Sequence, residues 1–166
     1  DIVLFAATLV NEKYPAVTPA SELFRTALKA DNGEEATPKT NLLKQAKLIK
    51  CSGENNEKEV ARYAVDGAVK TKWCDTSTAP NYIDFDFGKE QTIRGWKLVN
   101  AGNEGSVFIT HTCFLKGRNS PDEEWQTIDE LSDNKKNTVV RQFKPTSVRY
   151  VRLLVTQSTQ NNSLKA

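Results

Sequence analysis

From Asn41 onward, apolar residues alternate with polar ones in short runs that end at turn-forming residues, the period of half-buried β-strands. Tyr82-Ile83-Asp84-Phe85-Asp86-Phe87 is the clearest run. It sets Ile83, Phe85 and Phe87 on one face and Tyr82, Asp84 and Asp86 on the other, and Gly88 ends it. The next run, Ile93 to Asn100, puts Trp96 and Leu98 on one face, and Gly95 within it marks a bulge. Phe108 to Gly117 follows, with Cys113 and Leu115 sharing a face. Trp125 to Ile128 is short, and Thr138 to Phe143 and Val148 to Thr156 complete the set. No long helical pattern and no internal repeat interrupts this part. Short strands at this spacing predict an all-β sandwich or jelly roll.

The first forty residues read differently. Ile2 to Val10 is one apolar run, the pattern of a buried strand. It is too short to span a membrane and lacks the basic flank of a signal peptide. Pro15 and Pro19 then break the chain. Thr18-Pro19 has the form of an N-cap followed by proline in the first helical position. Leu23, Phe24, Ala27 and Leu28 share a helical face, and Asn32-Gly33 supplies the C-cap. Residues 34–40 read as a linker. The expected organisation is a strand-and-helix appendage over residues 1–40, or the tail of a preceding domain, and a β-sandwich over 41–166. The chain has no Met, so Asp1 reads as a processed or engineered start within a longer protein.

Composition narrows the options. The 166 residues suit one domain with an appendage. Hydrophobic residues make up 38%, so the core is modest, but seven Phe, four Tyr and three Trp are enough to build it. The net charge of +2 lacks the basic excess of a nucleic-acid binder. Lys44, Lys47, Lys50, Lys70 and Lys72 form the best basic set and read as a solvated face. The three cysteines, Cys51, Cys74 and Cys113, leave at least one thiol unpaired and match no zinc spacing. Cys51 and Cys74 could pair; three free, largely buried thiols is the favoured reading.

The sequence offers little catalytic chemistry. His111 is the single histidine. It lies in a strand pattern, where its neighbour Cys113 is no plausible partner, and no GxSxG elbow accompanies it. Asp84 and Asp86 sit ~7 Å apart on one strand face, a separation seen in glycosidase carboxylate pairs. Pairing with Arg149 and Arg152 is the better account of them. Gly102-Asn103-Glu104-Gly105 precedes no helix and does not qualify as a phosphate loop. Asn161-Asn162-Ser163 is a lone glycosylation sequon. The densest local signal is Ala64-Val65-Asp66-Gly67-Ala68-Val69-Lys70-Thr71-Lys72-Trp73. Asp66 and Thr71 offer oxygen side chains around a tight glycine turn, a donor set that suits calcium. From chemistry alone, an ordinary Asp-Gly turn is the plainer reading.

That segment resembles the discoidin family, also called the coagulation factor five/eight type C family, whose sugar-binding members form carbohydrate-binding module family thirty-two. The family marks are Ala64-Val65-Asp66-Gly67, Thr71-Lys72-Trp73 and Asp86-Phe87-Gly88. Ile93 to Val99, Trp125 and Arg149-Tyr150-Val151-Arg152-Leu153 match its later marks, and Asn41-Leu42 with Cys51-Ser52-Gly53 resembles its opening. The resemblance implies a galactose-binding-like jelly roll. It also implies a structural calcium held by Asp66 and Thr71, with main-chain carbonyls at Ala64 and Ala68. In the family a closing-strand glutamate completes that site; this chain reaches Ala166 without it, and Ile2–Val10 is one candidate to replace the strand.

Family sugar sites lie on loops at one end of the sandwich. The corresponding loops are Glu54–Glu59, Trp73–Tyr82 and Asn100–Ser106. Asn100, Asn103, Glu104 and His111 are the expected hydroxyl contacts, and Tyr82 or Phe108 the expected ring-stacking face. Core packing is the competing expectation for Tyr82 and Trp73. The wording around Asn100–Gly105 and Trp125–Asp129 is similar to modules of Bacteroides-type glycoside hydrolases, α-mannosidases among them. The expected function is a non-catalytic carbohydrate-binding module, periplasmic or extracellular, whose partners are a glycan and the catalytic domain of its parent chain. The alternative is a structural accessory domain without a ligand.

Overall fold

The structure, a computed structural model, describes the backbone of residues 2–9 and, in full, residues 41–102, 104–105 and 108–159. The helix expected between Thr18 and Asn32, the side chain of Asn103 and the sequon at 161–163 lie outside the described residues. Among the described residues there are seven strands: β1 (Ile2–Leu9), β2 (Lys47–Cys51), β3 (Trp73–Asp75), β4 (Asn81–Asn100), β5 (Thr110–Arg118), β6 (Gln126–Leu131) and β7 (Thr138–Ser158). Two short 3-10 turns, Leu42–Lys44 and Ala61–Ala64, are the helical elements among the described residues. Asn41 caps the first by accepting from the Leu43 amide at 3.1 Å.

All pairings are antiparallel, and the strand order is β3-β1-β4-β7-β5-β6, with β2 on β4 beside that path. β4 and β7 run 20 and 21 residues and each serves two layers. The first half of β4 pairs with β2 and with the second half of β7, which in turn carries β5 and β6. The second half of β4 pairs with β1 and with the first half of β7. The register shifts at Asp86/Gln91 and Ile93/Gly95, where the pair turns from one layer into the other.

This corrects the expectation of separate strands at 82–87 and 93–100, and at 138–143 and 148–156. Gly88 does not end its strand. At φ +78° it carries the chain onward through a bend that β7 follows beside it. The bulge expected at Gly95 is present. β6 begins one residue after Trp125 rather than at it.

The expected faces hold. Ile83, Phe85, Trp96, Leu98, Cys113 and Leu115 are all buried and join one core with Val139, Val151, Leu153 and Val155. Phe87 packs at its margin. Trp73 is fully buried and donates its indole N–H to the Gly53 carbonyl at 2.8 Å. All three cysteines are free. Burial pushes the Cys74 thiol up to about 11 and raises Cys113 further, so both behave as small apolar side chains.

The layers are locked by charge as well as by apolar contact. Trp96 and Arg141 are register partners on β4 and β7, and both reach Asp129 on β6. The indole donates at 2.7 Å, and the guanidinium donates twice, at 2.9 and 2.8 Å. On the outer face Asp84 and Arg152, also register partners, make a fork of two 2.7 Å bonds. Asp86 accepts a second fork from Arg149 at 2.9 and 3.1 Å. The two carboxylates are thus committed to arginines.

Two outcomes test this packing. A Cβ on Gly117 would lie 2.5 Å from Val148 Cγ2 and 2.6 Å from Ile128 Cδ1. Gly117→Ala is therefore expected to cost about 1–3 kcal/mol by overpacking, measured as a drop in urea midpoint at constant slope. Asp84→Ala leaves the half-buried Arg152 without its partner and is expected to cost ~2–3 kcal/mol in the same assay.

Candidate functional site

Three loops converge at one end of the molecule because β3 and the 52–59 segment are tied together by their main chains. The Asn55 amide donates to the Cys74 carbonyl at 2.8 Å, and the Cys74 amide donates to the Glu59 carbonyl at 3.1 Å. Lys72, just before β3, then reaches across. Its ammonium sits 3.4 Å from Glu59 Oε1 and also donates to Glu104 on the turn after β4. Asn55 and Asn56 donate their side-chain amides to Glu59 Oε2, at 2.5 and 2.7 Å.

The electrostatics follow from these bonds. Hydrogen bonding from Asn55 holds the Glu59 carboxyl below the usual carboxylate range; burial opposes it, and Lys72 adds to the lowering. Burial works against the charge on Lys72, but Glu104 and Glu59 outweigh it and raise its pKa. Beneath the cluster, Asp75 is buried and accepts from the hydroxyls of Ser52 and Ser77 and from the Ser77 amide. Burial disfavours its charge, yet the bonds from Asn81, Ser52 and Ser77 keep its pKa below the ordinary value. The result is a rim of amide, carboxylate and ammonium groups held in fixed positions, the kind of surface that grips hydroxyls.

The structure sorts the expected contact residues. Glu104 stands in the cluster. Asn100 does not: it is fully buried, and its amide holds the turn in place. It donates to the Asn137 carbonyl at 3.1 Å and accepts from the Thr110 amide at 3.0 Å, so no polar atom is left for a ligand. His111 lies apart from the cluster, on β5, with Nδ1 2.9 Å from the Thr112 hydroxyl and Nε2 3.5 Å from Asp133. Phe108 packs against Cys74 and Ala101.

Tyr82 is half-buried, with Arg152 lying 4.3 Å and Lys50 5.8 Å from its ring centre. It therefore serves as a stacking partner for cations and not as an open platform for a ring. The same ladder continues along the outer face of the sheet. Arg152 is 4.6 Å from Trp125, Arg118 is 4.3 Å from Trp125, and Arg149 is 4.9 Å from Tyr150. From the sequence Lys72 was expected only as part of a solvated basic face and Glu59 only as the end of the loop Glu54–Glu59, neither as a contact residue. A local hint for Lys72 was its place in the middle of Thr71-Lys72-Trp73, beside a residue that must be buried.

The loop at Asp66 closes as its pattern implies. Asp66 Oδ1 accepts from the Ala68 amide at 2.8 Å, and Oδ2 accepts from the Thr71 hydroxyl at 2.6 Å. The Thr71 hydroxyl is also 3.1 Å from the Ala68 carbonyl. Gly67 takes φ +81°, and the Lys44 side chain packs where its Cβ would be. Ala64 lies in the preceding 3-10 turn with its side chain in the core. The donors gathered here are all oxygens, the chemistry calcium takes, although three groups fall short of the six to eight ligands it usually collects. Among the described residues no group of three or more His, Cys, Asp or Glu side chains could hold a metal.

Comparison with known proteins bears on the fold. A chitosan-binding module of a Paenibacillus sp. IK-5 chitosanase/glucanase, solved with chitotriose, superposes with a TM-score of 0.62 at 20% identity, over 76% of this chain and 92% of that one. The family 32 carbohydrate-binding module of Streptococcus pneumoniae EndoD gives 0.63 at 22% identity, over 76% and 92%. A Clostridium perfringens module solved with GalNAc-β-1,3-galactose gives 0.61 at 18%, over 70% and 87%. The chain matches none of the curated protein sequences. The fold is the one these solved modules share. The model of the F5/8 type C domain matches residues 48–166, and the chain belongs to that family.

Proposed function

We propose that this chain is a carbohydrate-binding module that keeps a glycoside hydrolase close to its glycan, and that it works in the periplasm or outside the cell. The observation that carries the reading is the Lys72 bridge. It draws the loops of Glu59 and Glu104 into one polar rim on a fold whose structural neighbours include modules solved with sugars. Binding at such a rim is weak per site, and tethering to a catalytic partner makes weak binding useful by raising local concentration. An α-mannosidase is one parent that the sequence resemblance supports.

A second reading has its own support. The aromatic rings of Tyr82, Trp125 and Tyr150 lie under guanidinium groups, so they are not open to a sugar face. That favours a structural accessory domain that packs on a catalytic part and binds no ligand. We also propose that calcium binds the Asp66 loop, through the Asp66 carboxylate, the Thr71 hydroxyl and the Ala68 carbonyl, with Ala64 contributing its carbonyl.

Two measurements decide these points. A chemical-shift titration with mannose, galactose, N-acetylglucosamine and short chitosan oligomers is expected to move the amides of Asn55, Asn56, Lys72 and Glu104. Glu104→Gln is expected to weaken binding ~5–10-fold, the loss of one charge-assisted bond. Silence at tens of millimolar sugar would favour the accessory-domain reading. For calcium, the wild-type melting temperature is expected to rise with added calcium, by an amount that at a hundredfold excess over Kd corresponds to ~2.7 kcal/mol. Asp66→Ala is expected to remove that rise; a curve indifferent to calcium and chelator would end the proposal.

A further inference from the structure

β3 and β4 do not pair with each other; β1 lies between them. Ile2, Val3 and Leu4 pair with Asp75, Cys74 and Trp73 of β3. Leu4 and Ala6 to Leu9 pair with Asn100 and Val99 to Trp96 of β4. Leu4 therefore pairs on both sides. Without β1, the facing edges of β3 and β4 would lack main-chain partners beside residues that are buried: Trp73, Trp96, Leu98 and Asn100. Buried peptide groups are costly to leave unpaired. The strand that satisfies them comes from outside residues 48–166, the part of the chain that matches the family.

We propose that β3 and β4 form a strand-acceptor slot, and that its occupant is this chain's own segment Ile2–Leu9, seated in cis. Main-chain pairing recognises the segment, and its uncharged sequence, Ile-Val-Leu-Phe-Ala-Ala-Thr-Leu, suits a slot set in the middle of a sheet. A connection of 31 residues, 10–40, joins the segment to Asn41 in the same chain. At that length it presents the segment at an effective concentration of roughly millimolar. A second copy of the chain competes for the slot only near that concentration. The seated strand also fixes one spacing that the loops depend on. Lys72 immediately precedes β3 and the Glu104 turn follows β4, so β1 sets how far apart their strands lie.

The test uses the register. Val3 is the partner of Cys74, which is a free thiol. Partners in an antiparallel pair have α-carbons about 4.5–5.5 Å apart, within disulfide range. Val3→Cys in the full chain, held at micromolar concentration and oxidised with copper phenanthroline, is expected to form an intramolecular bond to Cys74. The product would be a monomer on a non-reducing gel, absent when Cys74→Ser is added. In the otherwise unaltered chain, Ala7→Pro is expected to speed amide exchange at Lys97 and Val99, whose amides face β1 because that of Asn100 is held by Asn137, at least ~10-fold while Cys113 to Leu131 stay protected. A Val3→Cys chain in which the introduced thiol and Cys74 both stay free after oxidation would overturn the proposal, and so would unaltered exchange at Lys97 and Val99. A covalent dimer as the main product at micromolar concentration would overturn the cis occupant, because the segment in the slot would then belong to a second copy. None of these readouts depends on a sugar.

Discussion

The pairing of β4 with β7 is the constraint on which the rest of this molecule depends. Each strand is roughly three to four times the usual length, and both bend together between Asp86 and Gly95, so a single ladder belongs to both layers. β2, β1 and β5 attach to this pair, while β3 and β6 attach to β1 and β5. The bend needs residues that tolerate it. Gly88 supplies a positive φ, and buried Ile93 and Val148 fill the space at the turn. Once the pair is bent, the apolar faces of its two halves look at each other, and one core results in place of two sheets seeking partners.

Arginine does the work on the outer face that aromatic rings might have done at a ligand site. Arg152 is held by Asp84 and lies between Tyr82 and Trp125; Arg149 is held by Asp86 and lies over Tyr150. A planar guanidinium can make a forked salt bridge at its edge and stack with its face, which a lysine cannot do. These contacts stiffen the face and occupy its rings. In the reading proposed above, recognition falls to the loop end, where the groups on display are amides, carboxylates and an ammonium. Such a rim distinguishes ligands by hydroxyl placement more than by stacking.

The loop end is rigid for reasons that lie below it. Asp75 ties Ser52 to Ser77, Asn100 ties β4 to the turn at Asn137 and to β5, and the indole of Trp73 ties β3 to Gly53. These buried residues do not touch a ligand, yet they decide where Glu59, Lys72 and Glu104 stand. A site whose members come from three loops can be no more precise than the anchors of those loops.

The sequence by itself determined the faces of the strands, the turn chemistry at Asp66-Gly67, the burial of Trp73 and the commitment of Asp84 and Asp86 to arginines. Each of these follows from short-range physics: alternation sets the face, a glycine after an aspartate sets the turn, and carboxylates in a strand seek nearby guanidinium groups. The family motifs carried the fold because they combine several such local requirements in order. Only the tertiary structure decided the rest. It merged four apparent strands into two, because whether a glycine ends a strand or bends it depends on what the neighbouring strand does. It buried Asn100 and covered Tyr82, because a side chain at a strand end faces ligand or core according to which distant turn meets it. It made Lys72 the centre of the candidate site, because an ammonium among many lysines is distinguished by the two carboxylates that folding brings to it, one thirteen residues before it and one thirty-two residues after it.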